Sequence, residues 1–244
     1  MDPALSKFIN LANDIAESRR WATVNENLAR LAKSGAGEAW WTRVFSALAA
    51  QLFSEYLSLK EAHGNARAEP ALMAWRARNL LEITVWCIYC SKSRENARRL
   101  FEDAGRDVRE MIDGFKKWGI AANMQGDWME YFKAAEQDLS RRAASAGVGS
   151  LDGSYKRVSA AANNCGLGDH FRLTHGFLSK FVHPTAMQIV SEKDEARAAF
   201  QKDLFFSHGC LYFTGGFTAL EDRIVRGSEN VANVASITGS SSDS

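Results

Sequence analysis

Residues 71 to 91, ALMAWRARNLLEITVWCIYCS, form the segment that most limits how this chain can fold. Apolar side chains occur on almost every side of a helix drawn through this segment, whereas a surface helix keeps one polar face. Such a helix must be surrounded by other elements on most sides. We therefore predict a central, buried helix from about Ala71 to Ser91, with the rest of the fold packed around it.

Helical periodicity dominates the remainder of the chain as well, and strand-like alternation is nearly absent. Only three of the 244 residues are proline, which suits long helices. Apolar residues at steps of three and four mark one core-facing stripe on a helix from about Glu38 to Ala66: Trp41, Phe45, Leu48, Leu52, Tyr56 and Leu59. The sequence predicts an all-α fold, a multi-helix bundle of about seven to nine helices.

Three parts are expected along the chain. Residues 1–37 form an N-terminal helical arm, with one broken or two short amphipathic helices. Residues 38–227 form the helical bundle domain, whose last helix is expected to end near Arg226. Residues 228–244 are predicted to be disordered, because the sequence SENVANVASITGSSSDS is polar and serine-rich.

Composition excludes some classes of function. The formal net charge is +1, so no global basic field points to a nucleic acid, although a local basic patch remains open. The apolar stretch 204–220 approaches the length of a membrane span, but it contains Ser207, His208 and three glycines. We predict a core helix there and no membrane span. The N-terminus lacks a secretory signal, so the four cysteines are expected to be reduced thiols in the cytoplasm.

One short stretch combines apolar and reactive side chains. In FRLTHGFLSKFVHP, residues 171 to 184, four polar side chains fall within roughly 80° of one another on a helix. We call Arg172, His175, Ser179 and His183 the polar row. Apolar side chains fill the rest of the helix circumference, so the row must face either a wet groove or polar partners inside the bundle.

The central helix offers such partners. Arg78 and Glu82 lie one turn apart on one face, and Tyr89 follows two turns after Glu82. His208 lies on the last long helix and could complete the same group. Charges on so apolar a helix are costly unless they are paired and hydrogen-bonded. We therefore predict that Arg78 and Glu82 meet Ser179 and His183 in the core, with His175, His208 and Tyr89 as further ligand-binding candidates.

Two interpretations of this group stay open. Buried Arg–Glu pairs with a histidine and a serine often form satisfied polar networks that fix helix register. Alternatively, a histidine tuned by a carboxylate and placed beside an arginine can perform acid–base chemistry on a phosphodiester.

The segment from Ser154 to Ala186, with RNLLE upstream, resembles an uncharacterised family of bacterial all-helical proteins. In that family an Arg-x-x-x-Glu helix precedes an aromatic-x-x-Leu-Ser-x-x-Val-His helix by about a hundred residues. Here Arg78 and Glu82 match the first element, and Leu178, Ser179, Val182 and His183 match the second. The resemblance covers about residues 40 to 220 and implies a fold more than an activity.

The arrangement is also distantly similar to HEPN domains, helical domains of which many are metal-independent ribonucleases of toxin and antiphage systems. This resemblance implies a HEPN-like core. Their hallmark is an arginine followed, after four to six residues, by a histidine. Arg172 precedes His175 by too few residues and His183 by too many.

Two functions are carried forward. The first is a helical binding or regulatory module that acts with an unknown protein partner or as a homodimer. The alternative is a HEPN-like metal-independent ribonuclease or RNA-binding protein of a bacterial defence or toxin system. In that case His183 would be the acid–base, Arg172 or Arg78 the phosphate clamp, and Glu82 the group that orients His183.

No cofactor or metal is expected. Cys87 and Cys90 in CIYC have the spacing of a redox or zinc motif, but they lie within an apolar helix. A thioredoxin-type motif needs a strand-to-helix turn, and a zinc site needs more ligands. We interpret both residues as buried core thiols.

Overall fold

The computed structural model describes residues 3–33, 39–183, 185–190 and 194–239, with only the backbone described for residues 3–5, 187–188 and 226–239. Helices account for nearly all of these residues, and no strand occurs among them. The predicted all-α, multi-helix architecture is confirmed. The helices are α1 (Pro3–Glu17), α2 (Arg19–Lys33), α3 (Ala39–Gly64), α4 (Pro70–Lys92), α5 (Arg94–Ala121), α6 (Trp128–Ser145), α7 (Val158–Asn164), α8 (Gly168–Val182), the five-residue α9 (Ala186–Val190) and α10 (Glu195–Gly239).

Helix α4 occupies the central position that we predicted for a helix from about Ala71 to Ser91. This helix contacts α3, α5, α7, α8 and α10, so most of its circumference is covered. Met73, Ala77 and Leu80 are fully buried. Pro70 stands at the first helical position, where its missing N–H would have no helical partner in any case. Ser93 separates α4 from α5 and caps α5, since its Oγ accepts a hydrogen bond of 3.1 Å from the Asn96 N–H.

Close packing of α10 against α3 and α4 depends on two glycines. A Cβ atom at Gly209 would lie 2.1 Å from Leu59 Cδ2, and one at Gly216 would lie 2.9 Å from Thr84 Oγ1. The Thr84 hydroxyl also donates a 2.7 Å hydrogen bond to the Tyr212 carbonyl of α10. The apolar segment 204–220 is therefore core, with Phe205, Phe213 and Phe217 fully buried.

The N-terminal arm consists of two helices that join the same core. A bend at Ser18 separates α1 from α2, and both helices pack against α10. Val24 and Leu28 are buried among the residues of the bundle core. Arg20 donates to both carboxylate oxygens of Glu221, at 3.0 and 2.6 Å. The boundaries that we predicted at residues 38 and 228 stay predictions.

The start of α8 and the end of α10 differ from what residue pattern alone favours. Asp169 is a residue type favoured at helix N-caps, but α8 begins at Gly168 without a side-chain cap, and Asp169 pairs with Arg172 instead. The last helix was expected to end near Arg226, whereas α10 continues to Gly239. Asp194 supports its start by accepting from the Arg197 N–H at 3.1 Å. Two residues of types that favour helix boundaries, Pro184 and Ser191, lie outside the described residues.

Within the described ranges, no helix is both long enough and apolar enough to cross a membrane.

Candidate functional site at the α4–α8 contact

Arg78, Glu82 and His175 meet where α8 crosses α4. The Arg78 Nε lies 3.1 Å from Glu82 Oε1 and 3.0 Å from His175 Nε2. The same Nε2 lies 3.0 Å from Glu82 Oε1, so three polar atoms form a nearly equilateral triangle. One residue of the polar row thus contacts both charged residues of the central helix.

Donor chemistry decides how the protons of this triangle are arranged. A guanidinium only donates and a carboxylate only accepts, whereas an imidazole nitrogen can do either. Two acceptors 3.0 Å apart would repel, so we assign a proton to His175 Nε2. That N–H and Arg78 Nε–H then both donate to Glu82 Oε1. Glu82 therefore fixes the orientation of the His175 ring and of the Arg78 guanidinium at once.

His183 stands on the other side of the same guanidinium. Its Nε2 lies 3.4 Å from Arg78 Nη1, at the long end of hydrogen-bond distance. The residue follows the last turn of α8 with extended backbone, and its N–H donates to the Ser179 carbonyl at 3.3 Å. Ser179 lies between the two histidines, and its hydroxyl donates to the His175 carbonyl at 2.6 Å. We call Arg78, Glu82, His175, Ser179 and His183 the α4–α8 cluster.

The α4–α8 cluster is partly open to solvent. Side-chain exposure is 24% for Arg78 and 31% for Glu82, 28% for His175, and His183 is exposed. We predicted a buried or semi-buried cluster, and the semi-buried alternative is the one that the structure shows. These residues meet at the edge of the bundle. Helix α8 covers only one side of α4, and Arg78 and Glu82 of α4 lie at the margin of that contact.

Three predicted site residues lie elsewhere. Arg172 is on the outer side of α8, 71% exposed, and pairs with Asp169 one turn earlier. Tyr89 lies about 10 Å farther along α4 than Glu82, since a helix rises 1.5 Å per residue, and Lys156 sits over its ring. His208 contacts the Leu204 carbonyl of its own helix at 2.9 Å through Nδ1. None of the three joins the α4–α8 cluster.

A second charged group, which the sequence analysis did not single out, holds the loop after α6 against α5. Asp103 is 4% exposed and accepts hydrogen bonds from Arg99, Arg106 and the Lys156 backbone N–H, at 2.9, 2.7 and 2.9 Å. This bonding raises the pKa of the Arg106 guanidinium above its usual value. The spacing of three and four residues around Asp103 was the available signal, but it is equally typical of a solvated helix face.

The cysteines have the character that we predicted for them. Cys87 and Cys90 are fully buried and free, and burial raises the pKa of the Cys90 thiol to about 12. A thiol with so high a pKa carries almost no thiolate, the reactive form, at neutral pH. Among the residues the structure describes, no group of three His, Cys, Asp or Glu side chains is placed to hold a metal ion.

Comparison with known proteins identifies the chain at the family level only. Residues 42–197, more than half of the sequence, match the model of a family of unknown function, DUF5677. The chain belongs to this family. No curated protein matches it, and no solved structure does. The part that matches the DUF5677 model runs from α3 into the start of α10 and so contains every residue of the α4–α8 cluster, while α1, α2 and most of α10 lie outside it.

Two alanine variants separate the members of the cluster that support the fold from those that do not. Replacing Glu82 leaves Arg78 and His175 side by side without their shared carboxylate. Allowing for solvent screening, we expect a loss of about 1 kcal/mol and a melting temperature lower by roughly 2–4 °C. His183→Ala should leave the melting temperature within about 1 °C of the parent, because exposed substitutions rarely change stability. A fall of several degrees for His183→Ala in a thermal melt would show that His183 supports the fold.

Proposed function

We propose that this protein is a ligand-binding module whose α4–α8 cluster binds a phosphate group carried by a nucleotide or by RNA. The observation that carries this proposal is the position of Arg78. Its Nε is held by Glu82, while the Nη1 edge faces the exposed His183. Among the described residues, the hydrogen bonds of Arg78 run through Nε and Nη1, and its Nη2 amino group makes none.

The donors around this position suit an oxyanion with several acceptor oxygens. A guanidinium held along one edge presents two parallel N–H groups along another, which matches the spacing of two phosphate oxygens. The imidazoles of His175 and His183 flank it and can supply further donors when they are protonated. Because Glu82 balances the charge of Arg78, protonation of either histidine would give the site the net positive charge that an anion requires.

A binding measurement tests this function and separates the two sources of the phosphate. We expect binding to change the fluorescence anisotropy of a 5′-labelled single-stranded RNA. The affinity should fall as the salt concentration increases. For a site with a few phosphate contacts, the logarithm of the binding constant should fall with the logarithm of the salt concentration with a slope of only about −1 to −3. Competition by adenosine 5′-monophosphate would indicate a nucleotide ligand, and its absence would indicate RNA. The proposal would be contradicted if neither RNA nor the nucleotide bound at low salt.

A second candidate, metal-independent RNA cleavage of the HEPN type, is favoured by the two imidazoles that flank one guanidinium. One histidine would take the proton of a ribose 2′-hydroxyl as that oxygen attacks phosphorus. The other would protonate the departing 5′-oxygen, leaving a 2′,3′-cyclic phosphate. Arg78 would stabilise the charge on the phosphate. Glu82 contacts His175 rather than His183, so the orienting role that we predicted for it passes to His175.

Cleavage is tested separately from binding. Labelled RNA incubated with the protein in excess EDTA should yield fragments with cyclic phosphate ends, and His183→Ala should abolish them. RNA that is bound but stays intact would support the binding module alone.

A further inference from the structure

The surface of α4 beside the α4–α8 cluster carries an exposed tryptophan. Trp75 is 40% exposed, although tryptophan side chains are highly buried on average. It lies three residues before Arg78 and seven before Glu82, so all three occupy one face of α4. Side chains three residues apart on a helix have Cβ atoms about 5–6 Å apart. An aromatic ring is therefore a direct neighbour of the proposed phosphate site.

The direction of α8 brings His183 to the same end of the cluster as Trp75. Lys92, the last residue of α4, donates a 3.2 Å hydrogen bond to the carbonyl of Asn164, which shortly precedes α8. His183 follows the end of α8 and lies against Arg78, in the first half of α4. The two helices therefore run antiparallel, and α8 ends on the side of Arg78 where Trp75 lies.

One face of the Trp75 ring is already covered, and this contact holds the ring in place. The Arg76 guanidinium lies over the ring, 4.6 Å from its centroid. Glu55 of α3 in turn accepts from Arg76 through both carboxylate oxygens, at 3.1 Å each. The covering cation is thus fixed on the α3 side of α4. Because Trp75 is 40% exposed, its ring is not covered on both faces.

The uncovered face of the ring lies on the side of the cluster. Successive residues of a helix are rotated by about 100°, so Arg76 and Arg78 point in nearly opposite directions from α4. Arg76 pairs with α3 and Arg78 with α8, so these two helices flank α4 on opposite sides. Trp75 lies between the two directions, about 60° from Arg78. With the α3 side of its ring covered, the other face is the one on the α8 side, beside the phosphate position.

We propose that Trp75 stacks on a nucleobase, so that the site takes a nucleoside phosphate with its phosphate on Arg78 and its base on Trp75. This inference rests on the phosphate-binding function proposed above. Every nucleobase has a flat π-face, and stacking on an aromatic side chain tolerates any base. Because Arg76 already holds the ring, little side-chain freedom is lost when the base binds. The ligand is a nucleoside monophosphate unit, free or within single-stranded RNA, with little preference among bases.

Calorimetric titration with a matched pair of ligands tests the stacking. Adenosine 5′-monophosphate and ribose 5-phosphate carry the same phosphate and sugar, and only the first carries a base. The parent should bind the nucleotide at least about tenfold more tightly, the effect expected of one stacked base. Trp75→Ala should remove this advantage and leave the affinity for ribose 5-phosphate unchanged.

A second pair separates the two sources of the unit. It consists of a short single-stranded RNA and an abasic strand of the same length, which has the same phosphates without the bases. If Trp75→Ala weakens binding of the RNA and not of the abasic strand, the unit is recognised within RNA. If it weakens binding of adenosine 5′-monophosphate alone, the ligand is a free nucleotide.

Two further variants control for general effects of the substitution. Trp75→Phe keeps a smaller aromatic face and should retain part of the advantage of the ligand that carries a base. Trp118→Ala makes the same change at a tryptophan that is 62% exposed, in the part of α5 that packs against α6, and it should bind like the parent. Circular dichroism of every variant should equal that of the parent.

The outcomes distinguish failure of the stacking from failure of the phosphate site. If the parent binds ligands with and without a base equally well in both pairs, the role of Trp75 is overturned and phosphate binding stands. An equal loss for both members of a pair in Trp75→Ala would overturn that role as well. If the parent binds no member of either pair, the phosphate site itself is refuted, and the stacking with it.

Discussion

Replacing Asp103 with alanine is expected to lower the free energy of unfolding by about 3 kcal/mol, because its buried carboxylate is the acceptor for three donors, two of them charged. Arg106 is 10% exposed and would lose its 2.7 Å partner, and the Lys156 N–H would lose its acceptor. Arg106 keeps one partner, Glu102, at 3.3 Å. For a chain of this length the melting temperature should fall by roughly 6–12 °C. Thermal unfolding followed by circular dichroism measures this fall.

Asp107→Ala provides the matched control for this experiment. Asp107 lies one turn after Asp103 on the same helix, but it is exposed, so the change should alter the melting temperature by less than about 1 °C. Equal melting temperatures for the two variants would mean that the charged group around Asp103 does not hold the loop after α6 in place.

Replacing Arg78 with glutamine is expected to weaken phosphate binding by about 10- to 100-fold, the equivalent of roughly 1.5–3 kcal/mol for hydrogen bonds to a charged group. Glutamine keeps polarity and part of the length but loses the charge and the paired N–H groups. Affinity for the labelled RNA, measured by anisotropy at fixed salt, reports the loss.

Arg172→Gln removes the same charge from the same region without touching the cluster. Arg172 is 71% exposed on α8, so only the general attraction of the surface for RNA changes, and affinity should fall by less than about threefold. Equal losses for the two arginine variants would show that RNA binds through overall charge rather than through the α4–α8 cluster.

Some of this fold follows directly from residue pattern. The apolar circumference of α4 required neighbours on most sides, and the structure supplies them with α3, α8 and α10. The pairing of Arg78 with Glu82 and the approach of the polar row to that pair follow from helical spacing together with the cost of an unpaired charge.

Other features of the site depend on tertiary geometry, which spacing along one helix cannot provide. Arg172 and His175 belong to the same polar row, yet only His175 reaches Glu82, because the crossing of α8 and α4 brings just one turn of α8 close to that residue. Tyr89 shares a face with Glu82 but lies too far along α4 to meet the same turn of α8. The solvent access of the cluster depends equally on how much of α4 the neighbouring helix covers.

The exposed apolar stripe on α5 illustrates a different limit. A stripe such as Met111, Phe115 and Trp118 predicts a buried face in any helical sequence. In the structure Met111 and Trp118 are instead 54% and 62% exposed. Only the three-dimensional arrangement of the helices decides whether such a face is covered.

The central claim, that the α4–α8 cluster is a phosphate site, is tested most directly by nuclear magnetic resonance of the histidine side chains. The chain has five histidines, and only His175 and His183 belong to the cluster. At constant pH and ionic strength, added inorganic phosphate should shift the ¹H–¹⁵N signals of these two side chains saturably, while His63, His170 and His208 stay in place. Shifts of all five together, or of none, would contradict the claim.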